Sequence, residues 1–122
     1  MELMKFEDGK LNYIDTTINI MGEKWRIVWS DDEEVFDDCF GITYGYTNII
    51  LMSKLSEGSQ LDWVYNQKRV LRHEILHAYL FSCGLVNSSN SCEHWADNEE
   101  MVDWFARISP KILDTYKELG LI

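Results

Sequence analysis

A chain of 122 residues has the length of one compact domain, at roughly 100–200 residues per domain. Apolar residues make up 46% and aromatics 13%, with a single proline, which supplies a packed core and excludes a disordered polymer. Eleven Lys and Arg against twenty-one Asp and Glu give a net charge of −10. That charge repels phosphate backbones and anionic lipid, so neither nucleic acid nor a membrane is expected as a partner.

The opening MELMKFEDGKL has neither the cationic nor the apolar region of a secretory signal, and no run approaches the roughly 18 apolar residues that span a bilayer. Three cysteines, Cys39, Cys83 and Cys92, are an odd number at irregular spacings, unlike a disulfide framework. The expected location is therefore the reducing cytoplasm. Residues 1–56 read as strand-rich and 59–120 as helical, with the change of character at Ser56-Glu57-Gly58-Ser59, all within a single domain, 1–122. Thr17–Met21, Trp25–Trp29, Ile42–Tyr46 and Asn48–Ser53 are rich in β-branched and aromatic residues and predict a small antiparallel or mixed twisted sheet. Between them Asp31–Asp38, DDEEVFDD, reads as a solvated loop.

From Leu61 to Cys83 apolar residues recur at helical spacing, and Gly84 stands where a glycine ends a helix. Asn87–Cys92 reads as a polar loop and Trp95–Ile108 as a second helix. Ser109 as N-cap and Pro110 at the first position predict a last short helix to about Tyr116. The five tryptophans are expected in the core or lining a cleft, and Cys39 and Cys83 as small buried hydrophobes without chemistry.

Midway along the long helix stands His73-Glu74-Ile75-Leu76-His77, an H-E-x-x-H pattern. At 100° per residue, positions i and i+4 lie about 40° apart on one face, so both imidazoles can reach one zinc ion. Glu74 lies one step round, where a carboxylate can act as general base on the water that attacks a peptide carbonyl. Such a centre needs a third protein ligand. The candidates are Cys92, Glu93, His94, Asp97, Glu99, Glu100 and Asp103. Glu99 is favoured, because it falls on the apolar stripe formed by Trp95, Val102, Phe105 and Ala106. Asp103, one turn on, can hold the second ring nitrogen of a ligating histidine. Glu100 points away, towards Trp104 and Arg107, and reads as solvated.

HEILHAYLFSCGL followed by Glu99-Glu100-Met101-Val102-Asp103-Trp104-Phe105-Ala106 and then Pro110 resembles the ImmA/IrrE family of metallopeptidases, especially the minimal forms of phages and prophages. Glu99, Asp103, Phe105 and Ala106 match the family pattern one by one, while Val102 stands where the family often has alanine. The resemblance covers about residues 40–110, and the first 35 or so find no counterpart. It implies a minimal zincin-like α+β fold, zinc on His73, His77 and Glu99, and a cytosolic peptidase that cleaves a repressor-like regulatory protein. The same helix is also similar to that of the SprT/Spartan proteases, in which a histidine further along is the third ligand, here His94. That pattern then has a glycine that this chain lacks. Cys92 and His94 with His73 and His77 could also form a purely structural site. In the zincin reading Asn48, Ile49, Ile50 and Leu51 lie on an edge strand above the metal and pair with an extended peptide substrate.

Overall fold

The computed structural model describes residues 2–55, 60–88 and 95–122. They form a small α+β domain with two sheets and three α-helices. A hairpin that the sequence reading missed comes first, β1 (Met4–Glu7) with β2 (Lys10–Tyr13). Its turn is Asp8-Gly9, both at positive φ (52° and 76°), the conformation that Asp-Gly favours in a two-residue hairpin. Met21-Gly22 (φ 53° and 87°) makes the same kind of turn between β3 (Thr16–Ile20) and β4 (Glu23–Ser30). The acidic segment 31–38 forms no strand; its six acids are exposed and Phe36 is buried.

The larger sheet has the order β3-β4-β6-β5, with β5 at Gly41–Tyr44 and β6 at Ile49–Ser53. Two of its pairings are antiparallel, but β4 and β6 run parallel, so the sheet is mixed. The apolar run of β6 explains its place: Ile50 and Met52 are fully buried, which suits a strand covered by neighbours on both sides. On β4 the alternating Trp25, Ile27 and Trp29 are buried and complete the core with Ile20.

Helix α1 (Gln60–Ser82) packs on the sheet through Val70 and Ala78 and ends as expected at Gly84, φ 86°. Its one fully buried polar side chain among the described residues, Gln67, donates from Nε2 to the carbonyls of Ser53 (2.8 Å) and Phe40 (3.3 Å). Gly41 and Gly45 let this end of the sheet lie directly on the helix: a Cβ at Gly41 would stand 2.8 Å from Val70 and 2.9 Å from Glu74, and one at Gly45 2.6 Å from the Phe81 ring. A short α2 (Leu85–Ser88) follows and takes in the first two residues of the expected polar loop, the rest of which, 89–92, lies outside the described residues, as do 56–59.

The second helical segment differs from expectation. Trp95–Asp97 is a 3-10 turn, and α3 runs unbroken from Glu99 to Glu118 with Pro110 inside it. Asn98 caps it, its side chain accepting from the Met101 N–H at 2.9 Å, and Ser109 caps nothing. Pro110 has no N–H to offer the carbonyl of Ala106 four residues back. Arg72 of α1 replaces it, Nε donating to that carbonyl at 2.7 Å, so packing supplies the bond that the helix loses. Trp25, Trp29 and Trp63 are buried, whereas Trp95 and Trp104 are exposed, as is Cys83.

Candidate metal centre

One turn apart on α1, His73 and His77 bring their Nε2 atoms to 3.1 Å. Glu99, the first residue of α3, reaches both: its Oε2 lies 2.9 Å from His73 Nε2 and its Oε1 3.0 Å from His77 Nε2. Among the described residues these three form a group that could hold a metal ion. Four ligands at about 2.05 Å around a tetrahedral zinc stand about 3.3 Å apart, close to the separations found here, and two imidazoles with one carboxylate leave a fourth position for water. Glu99 does not lie on a buried apolar stripe, as its spacing from Trp95, Val102, Phe105 and Ala106 led one to expect. Val102 and Ala106 do face inward, but Trp95 and Phe105 are exposed and the Glu99 side chain is 69% exposed. It reaches the histidines because the Asn98 cap starts the helix there, not because it lies on a buried stripe.

Asp103, one turn along α3, has Oδ1 3.3 Å from His73 Nδ1. Accepting a proton there leaves Nε2 bare and aimed at Glu99 and His77. Two arginines not expected as its partners fix this carboxylate: Arg69 on Oδ1 and Arg107 Nε on Oδ2 at 2.8 Å. Burial works to raise its pKa, but the Arg107 hydrogen bond, the Arg69 charge and the His73 bond outweigh it and hold Asp103 below the ordinary range.

Glu74 is buried, with 6% of its surface exposed, and its Oε2 lies 3.9 Å from His73 Nε2. Burial pushes its pKa up, against the Thr43 hydrogen bond and the two histidines. The Thr43 hydroxyl, 2.9 Å from Glu74 Oε1 and 3.0 Å from the Glu74 carbonyl, is a partner that no spacing in the sequence announces. Beside these groups opens a cleft of about 390 Å³, with Ile42, Phe81 and Val86 among its apolar walls and Asp97 at its acidic side. Cys39 also borders it, half-buried, its thiol pushed up by burial and by Asp38 and so kept neutral.

The expected substrate strand is contradicted. Ile49, Ile50 and Leu51 belong to β6, which is hydrogen-bonded on both sides, and Asn48 sits at positive φ in the turn before it. Of the two edge strands of this sheet, β3 and β5, it is β5 that carries Thr43, and among the described residues no strand pairs with its outer edge. Glu100 is exposed and takes no part in the His73, His77 and Glu99 group. His94, Cys92 and Glu93 lie outside the described residues. No family model matches the chain, and no curated protein or solved structure matches it.

Proposed function

We propose that this protein is a zinc-dependent metallo-endopeptidase of zincin type, with His73, His77 and Glu99 as the metal ligands and Glu74 as the general base. The observation that carries the reading is the convergence of three ligand atoms from two helices within 4.8 Å, beside a buried carboxylate. A purely structural metal site has no use for that carboxylate. Zinc held there supplies an activated water and polarises the scissile carbonyl.

The chain's own groups do the rest. Thr43 occupies Glu74 Oε1, which leaves Oε2 to take the proton of the attacking water and pass it to the leaving amine. In the metal-free chain burial raises the Glu74 pKa, the direction that favours proton acceptance, and a bound cation would act against it. Asp103 keeps the His73 ring turned for ligation. An extended peptide adds to the outer edge of β5 by main-chain hydrogen bonds, with a side chain against Ile42, Phe81 and Val86. The resemblance read from the sequence extends the proposal to a repressor-like regulatory protein as substrate. The odd cysteine count, with Cys39 and Cys83 both free, extends it to a reducing cytoplasm.

Specificity of this kind makes a single generic substrate uninformative, so the test is a proteome-derived peptide library incubated with the zinc-loaded chain and read by mass spectrometry. New termini are expected with wild type and absent with Glu74→Gln, which keeps its zinc. The same termini from both proteins, or none from either, would contradict the peptidase reading.

A further inference from the structure

Four of the chain's eleven basic residues, Arg69, Arg72, Arg107 and Lys111, line one groove between α1 and α3 together with Tyr65 and Trp104. Positions 65, 69 and 72 share a face of α1, and 104, 107 and 111 share a face of α3, so two helical faces converge on it. Asp103 neutralises one charge, and an excess of positive charge remains in a molecule of net −10.

The cations are held ready. Arg72 is anchored through Nε to the Ala106 carbonyl and Arg107 through Nε to Asp103, and among the described residues the terminal nitrogens of both, and Lys111 Nζ, have no acceptor. Arg69 is committed at both ends, to Asp103 and Asn66, and serves as scaffold. Guanidinium groups fixed at one nitrogen present a planar pair of donors to a carboxylate. Tyr65 and Trp104, 74% and 58% exposed, supply aromatic surface beside them. At about 230 Å³ the groove is smaller than the ~300–1,000 Å³ of a small-molecule pocket, and suits side chains projected by a segment lying across the helices.

We propose that this groove docks an acidic, aromatic-bearing segment of a partner protein. Carboxylates meet Arg72, Arg107 and Lys111, and an aromatic or apolar side chain packs on Tyr65 and Trp104. The groove adjoins the candidate metal centre through Arg69 and Arg107, which hold Asp103. Arg72, Lys111, Tyr65 and Trp104 have no part in that centre and the docking needs no metal chemistry, so it stands whether or not the peptidase reading does.

The test is fluorescence anisotropy of a labelled peptide of repeated Glu-Glu-Phe units, with repeated Lys-Lys-Phe as the opposite-charge control. Saturable binding of the acidic peptide alone is expected, weakened tenfold or more by Lys111→Glu and by Trp104→Ala. Both side chains are exposed, so the variants keep the fold. Lys24→Glu, an exposed change of equal charge on β4, should leave binding unaltered. Equal weakening by Lys24→Glu would reduce the effect to net charge and overturn the proposal. So would no binding of the acidic peptide, tighter competing binding of a single-stranded oligonucleotide, or a concentration-dependent dimer abolished by Lys111→Glu.

Discussion

Glu74, the proposed general base, is held at a cost to the fold that carries it. Its pKa is raised chiefly by burial, so the folded state prefers the protonated form. The associated stability is fully present below the ordinary carboxylate pKa of about 4.3 and is lost as pH rises through the higher folded value. Glu74→Gln keeps an acceptor for Thr43 and removes the ionisation. The metal-free variant should therefore melt at higher temperature than metal-free wild type at pH 7, and the gap should close as pH falls below 4. An equal gap at both pH values would show that burial of charge is not the cause. At this scale the sequence was legible where covalent spacing alone sets geometry: His73, Glu74 and His77 are neighbours on one helix whatever else the chain does. Thr43 lies 31 residues from Glu74, and Arg69 lies 34 from Asp103, so those contacts exist only after β5 and α3 have docked on α1.

Among the elements, Pro110 gives the clearest departure from local rules. Ser-Pro reads as a helix start, yet α3 passes through it because Arg72 takes over the orphaned Ala106 carbonyl. Arg72→Met, which keeps the apolar stem, should cost about 1–3 kcal/mol by leaving that carbonyl unpaired. In a Pro110→Ala background the restored N–H at position 110 satisfies it, and the cost of Arg72→Met should fall by about 1 kcal/mol or more. Equal costs in both backgrounds, from denaturant melts, would contradict the account. The strand positions read from β-branched and aromatic content match four strands to within about two residues, but periodicity names a strand without naming its neighbour. The edge position of β6 was expected only from the zincin reading, whereas the fold puts it inside the sheet between β4 and β5. The first hairpin, by contrast, had a readable signal in Asp8-Gly9 between Met4–Glu7 and Lys10–Tyr13.

Across the whole molecule, composition pointed to one domain with a substantial core, and the described residues form an α+β unit with a single main cluster around Trp25, Ile27, Ile50 and Met52. No helix among them is long and apolar enough to cross a membrane. The net charge of −10 argues against anionic partners overall, whereas the fold gathers Arg69, Arg72, Arg107 and Lys111 into one basic groove, which a residue count cannot foresee. The candidate centre likewise depends on the whole fold, since α1 supplies two ligand atoms and α3 the third. A metal there ties the start of α3 to the middle of α1 and should stabilise the folded chain by ~4 kcal/mol at a free zinc concentration 1,000 times its Kd.

The central claim is therefore tested most directly by zinc content per chain in wild type, Glu99→Ala and His94→Ala, each purified without chelator and without a histidine tag. Close to one zinc in wild type and His94→Ala, with depletion in Glu99→Ala, is the predicted result. No zinc in wild type, or depletion in His94→Ala with retention in Glu99→Ala, would contradict it.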